Sequence, residues 1–62
     1  MKVDYESLRY SYFSQFITCK QELRYATYVG ISKSIIENKH YTDSQKAKAM
    51  RELIAALNIA DA

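Results

Sequence analysis

His40 and Cys19 are the only histidine and the only cysteine among 62 residues. They are the first places to look for chemistry. An imidazole can exchange a proton near neutral pH, and a thiolate can attack a carbon or bind a metal. Neither residue has the company such work needs. A reactive thiol wants a helix N-terminus or a neighbouring base. Cys19 sits inside a run of regularly spaced apolar positions, so it reads as a buried, inert thiol. His40 stands between two helical patterns and reads as a solvated turn residue. One histidine and one distant cysteine lack the ligand spacing of a zinc site. The acids Asp4, Glu6, Glu22, Glu37, Asp43, Glu52 and Asp61 are scattered. No two of them form a pair suited to acid–base catalysis. A single glycine, Gly30, offers no loop to cradle a phosphate. The expectation is a protein that is not an enzyme, with no catalytic residue, no metal ligand and no cofactor.

The remaining polar pattern is a basic stripe of Arg9, Lys20 and Arg24, with Phe13 and Tyr28 near it. Cations interleaved with rings are what a nucleic-acid surface uses. Arg9, Phe13, Lys20 and Arg24 are therefore the candidate contacts for a partner or a nucleic acid. The ordinary alternative is that these long side chains cover the edges of apolar stripes. Lys46, Lys48 and Arg51 form a second basic group, read as solvated. A helix-turn-helix over Ser32 to Leu57 would place Asp43 at the front of a recognition helix, facing phosphates, which disfavours it. The net charge of +2 permits an anionic partner without requiring one. Six tyrosines point instead to protein contact, because the ring buries while the hydroxyl stays wet.

What elements would hold these residues? There is no proline, so long helices are expected. The clearest boundary is NKHYTDSQ, residues 38–45. Thr42 and Gln45 have capping-box spacing, and Asp43 would suit the first turn of a helix. A helix is expected over about 43–59. Ala47, Met50, Ile54 and Leu57 would form its apolar face, widened by Leu53, with Lys48, Arg51 and Glu52 opposite. Upstream, Tyr5, Leu8, Tyr12, Phe16, Cys19, Leu23, Ala26 and Gly30 follow a rhythm of three and four. They predict one helix over about 4–38. Phe13, Ile17, Ile31 and Ile35 form a second stripe, with Tyr10 and Tyr28 beside it. Gly30 costs about 1 kcal/mol within a helix and is the expected weak point.

The expected fold is all-α and a single domain over 1–62: a long helix, a turn at 39–42, and a shorter antiparallel helix. In such a hairpin the short helix covers only part of the long one. The segment RYSYFSQF would stay bare, and exposed rings of that kind mark an interface. A second copy is the expected remedy, with Tyr5, Leu8, Tyr12, Phe16 and Cys19 at the interface of a helical bundle. A chain this small needs such help, since one cysteine cannot form an internal disulfide. A lone thiol suits a reducing compartment, and the N-terminal segment has acids and no apolar core of a secretory signal. The longest apolar run, LIAAL, falls far short of the roughly 20 residues of a membrane span. The expected location is cytoplasmic. The expected role is a homodimeric regulator or adaptor acting through protein contacts, of the kind frequent among phage and plasmid accessory proteins. A dimeric DNA- or RNA-binding protein is the alternative.

Overall fold

The computed structural model describes residues 2–62. Among them are three α-helices and no strand: α1 (Tyr5–Thr18), α2 (Arg24–Ile36) and α3 (Asp43–Asp61). The protein is all-α, but it is not a two-helix hairpin. The helix expected over 4–38 is divided, and the division falls at Cys19–Lys20, not at Gly30.

Asp4 starts α1. Its carboxylate accepts from the Ser7 backbone N–H at 3.1 Å and from the Ser7 hydroxyl at 2.8 Å. These bonds hold its carboxyl below the usual carboxylate range, the backbone bond most of all. The end of α1 uses neither glycine nor proline. The Thr18 hydroxyl donates to the Ser14 and Gln15 carbonyls at 2.8 and 3.3 Å. The Cys19 thiol and the Arg24 Nε both donate to the Phe16 carbonyl at 3.3 Å. Side chains thus satisfy the Phe16 carbonyl, which a continuing helix would have bonded to residue 20. Cys19 and Lys20 then adopt extended backbone, with ψ of 160° and 145°. A 3-10 turn at Gln21–Leu23 redirects the chain into α2.

Gly30 lies inside α2 without a positive φ. A Cβ added there would meet nothing within 4 Å. Glycine is the costlier residue in a helix interior, so Gly30→Ala should stabilise the fold by about 0.5–1 kcal/mol. Thermal melts would check this, and a lower midpoint would mean that α2 is bent or packed tightly there.

The cap expected at Thr42 is present. Its hydroxyl accepts from the Gln45 N–H at 3.2 Å, and the Gln45 side chain accepts from the Thr42 N–H at 2.8 Å. Thr42→Ala should cost about 0.5–2 kcal/mol. A melting temperature unchanged from wild type would show that the cap carries no weight.

The face that α3 turns inward differs from the expected one. Ala49, Leu53 and Ala56 are buried and Ala60 packs beside them, while Met50 and Leu57 lie at the edge. Ala47 and Ile54 are exposed. The reason is steric. The core also holds Tyr12 and Phe16 from α1 and Ile35 from α2. Rings of that size need small residues opposite them, and the alanines leave that room.

α1 packs mainly on α3, while α2 lies more lightly on both. Tyr5 meets Lys48 and Arg9 meets Glu52, so α1 and α3 run in the same direction and α2 returns between them. The result measures 33 × 20 × 14 Å. An open groove remains between α1 and α2, walled by Tyr12, Gln15, Thr27, Gly30 and Ile35 among others. Ile35 is the sole buried side chain of α2.

Candidate functional site

The residues expected at a dimer interface are largely occupied within one chain. Phe16 is 0% exposed and Tyr12 is 8% exposed, both in the core. Burial pushes the Tyr12 phenol above its ordinary value, with Tyr41 adding to the effect. Leu8 packs against the same core. Tyr5 is half-buried, with the Lys48 ammonium 5.8 Å from its ring centre. The half-buried Cys19 spends its thiol on the Phe16 carbonyl. The bare aromatic seam that motivated a second copy is therefore covered by α3. The covering was invisible while α1 and α2 were read as one straight helix.

The basic stripe is also divided. Arg24 is held at the junction of all three helices. Its Nη1 donates to Asp61 at 2.7 Å and to the Ala60 carbonyl at 3.3 Å, while its Nε donates to the Phe16 carbonyl. Only 18% of the side chain is exposed. Arg24 thus ties the end of α1 to the end of α3. Lys20 lies exposed in the turn before α2. Arg9, on α1, is paired through Nε with Glu52 at 3.4 Å. That pair is partly exposed and is worth at most about 1 kcal/mol.

What the structure does bring together is Arg9 and Phe13. With Tyr10 and Ile59 they line a groove of about 300 Å³ between α1 and α3. Phe13 forms its floor, packed against the core. Tyr10, 68% exposed, and Ile59, 53% exposed, stand at its sides. Ile17 continues the same side of α1 one turn beyond Phe13, and it is exposed too. The guanidinium of Arg9 borders this apolar strip, its Nε paired with Glu52. Such a surface can hold an apolar side chain.

Tyr10 was visible in the sequence as a neighbour of the second stripe. Ile59 was not singled out, because it falls outside the apolar face expected for α3. Asp61, the partner of Arg24, lies 37 positions away in the chain, and no local pattern marks it. His40 is an exposed turn residue whose backbone N–H donates to the Asn38 side chain at 2.9 Å. Among the described residues, no group of three or more His, Cys, Asp or Glu side chains is placed to hold a metal ion. None of their helices is long and apolar enough to cross a membrane. No protein family, curated protein or solved structure matches the chain.

Proposed function

We propose that the chain acts without catalysis, as a small homodimeric regulator or adaptor that works through contact with another protein. The observation that carries this reading is the groove of Arg9, Tyr10, Phe13 and Ile59. Exposed apolar residues scattered singly over a surface mean little, but gathered around a concavity they mark a contact site. Tyrosine, phenylalanine and arginine are also the residues enriched at protein interfaces. The partner that suits the groove presents an apolar side chain. An accessory regulator of a phage or plasmid is a setting that such a chain fits.

The nucleic-acid alternative draws no support from the geometry. Phosphate binding uses cations that are free to release counterions. Arg24 is held by Asp61 and Arg9 by Glu52.

Capture from a nuclease-treated lysate of the source cell separates the readings. The wild-type chain should retain a protein that Tyr10→Ser/Ile59→Ser does not. Both positions are exposed, so the double variant keeps the fold. Capture that disappears with nuclease, or that steepens sharply as salt is lowered, would overturn the adaptor reading in favour of nucleic acid.

A further inference from the structure

The corner between α1 and α2 is held by side chains, and nothing in its own sequence demands it. Residues 19–23 read CKQEL, without glycine or proline. Lysine, glutamine, glutamate and leucine are all good helix formers. What keeps the chain bent is a set of bonds: Thr18 and Cys19 donate back to carbonyls of α1, and the Arg24 Nε donates to the Phe16 carbonyl. A straight helix would instead give the carbonyls of Phe16, Ile17 and Thr18 to the N–H groups of Lys20, Gln21 and Glu22. The rhythm of apolar positions from Tyr5 to Gly30 passes through the corner without a gap.

We propose that this corner opens and that two copies of the chain exchange α1, so that α1 and α2 fuse into one helix in each copy. The topology permits it. α2 runs back alongside α1: Arg24 at its start meets Phe16 near the end of α1, and Ile35 near its end shares the core with Tyr12. Two fused helices laid antiparallel therefore set α1 of each copy beside α2 of the other, in the same relative direction. That α1 also reaches α3 of the other copy, which the Arg24–Asp61 ion pair keeps on its own α2. The packing of the single chain recurs in the pair, and only the corner changes. Exchange of an identical element is a low-cost route to a dimer for this reason. Phe16 would meet the same buried side chains in either form.

The groove of Arg9 and Phe13 is then rebuilt across the pair, with Arg9, Tyr10 and Phe13 from one copy and Ile59 from the other. The fused helix, from Tyr5 to Ile36, would be about 48 Å long, with one such groove towards each end of the pair. This inference rests on the homodimeric part of the function proposed above and gives that dimer a structure. Association costs translational and rotational freedom, so the single chain should prevail when dilute and the exchanged pair when concentrated. α1 must leave the core to exchange, so the two forms interconvert only as fast as the chain unfolds.

Refolding the full chain from denaturant at micromolar and at millimolar concentration, followed by sedimentation velocity, tests it. The dimer fraction should rise with the refolding concentration, and the dimer should persist for a time after dilution. Lys20→Pro should weaken dimerisation by about a hundredfold or more, because proline bars the straight helix. The same change suits the bend. Lys20 has a φ of −63°, which proline imposes, and Cys19 before it has the extended backbone that proline favours. A second variant reports which copy supplies α1. Arg9 and Glu52 are paired at 3.4 Å across α1 and α3. A chain with Arg9→Cys, Glu52→Cys and Cys19→Ser is refolded, diluted and treated with a short bis-maleimide. Material refolded at millimolar concentration should be linked between chains and run as a covalent dimer in a denaturing gel. Material refolded at micromolar concentration should be linked within chains. A wild type that stays monomeric after millimolar refolding overturns both this proposal and the homodimer reading. A dimer whose links all lie within one chain overturns the exchange and leaves the homodimer reading standing. So does a dimer that Lys20→Pro does not weaken. If Lys20→Pro fails to fold, the links decide alone.

Discussion

Phe16→Ala should leave little of the chain folded at room temperature. The ring is fully buried in one copy of the protein, among Tyr12, Ile35, Ala49, Leu53 and Ala56. Truncating a buried phenylalanine to alanine costs about 3–5 kcal/mol. A folded domain holds only about 5–15 kcal/mol in total, and a chain this short belongs near the lower end. The loss is therefore comparable to the whole stability. Denaturant titration followed by circular dichroism would show a shallow or absent transition. Phe16→Leu, which keeps most of the volume, should retain a cooperative one. The destabilisation should also be the same at every protein concentration. A residue at a dimer contact would behave differently, because its loss would be felt only where dimer forms. A Phe16→Ala chain that melts like the wild type when dilute would mean that the ring is not in the core of the single chain.

Arg24→Ala should be the most damaging change among the charged residues. Hydrogen bonds made by a charged group are worth about 1.5–3 kcal/mol, more than neutral ones. Arg24 makes contacts with two backbone carbonyls and one carboxylate at the meeting of three helix ends. Removing it leaves the Phe16 carbonyl dependent on the Cys19 thiol alone, a weak donor. A loss of about 2–3 kcal/mol is expected in urea denaturation. Arg24→Lys should recover little of it, because one ammonium cannot span acceptors that a planar fork reaches together. Asp61→Asn should cost less, since that side chain is 58% exposed and its charge is screened. A change within the roughly 0.5 kcal/mol of an ordinary surface substitution would show that the junction carries no load.

How much of this could be read from residues in order? The start of α3 was legible because a capping box is local: Thr42 and Gln45 speak for themselves. The helical character of the upstream segment was legible from its rhythm. The break at Cys19–Lys20 was not, because it has no glycine or proline to announce it. It is made by Thr18 and Cys19 turning back on their own helix, and by Arg24 reaching across from the next one. Gly30, the expected weak point, is a plain helical position. The inward face of α3 was misread for a related reason. Alanine scores weakly in a hydrophobic pattern, so Ala49 and Ala56 gave way to Met50 and Ile54. What decides the matter is the size of Tyr12 and Phe16 on a helix some thirty positions away. Of the candidate contacts, Arg9 and Phe13 do come together. Arg24 was seen as a cation in a stripe, when its position is set by Asp61 near the other end of the chain.

The heaviest packing in this protein joins its first helix to its last. During synthesis that order has a cost. The rings of Tyr12 and Phe16 are made early, and the alanine-lined surface that receives them is made last. At about 5–20 residues per second, the end of α3 is made some seconds after the end of α1. Helix α2 cannot shelter it meanwhile, since Ile35 alone is buried from that element. The nascent chain therefore has no stable partial fold to rest in, and it gains its core in one step when α3 arrives.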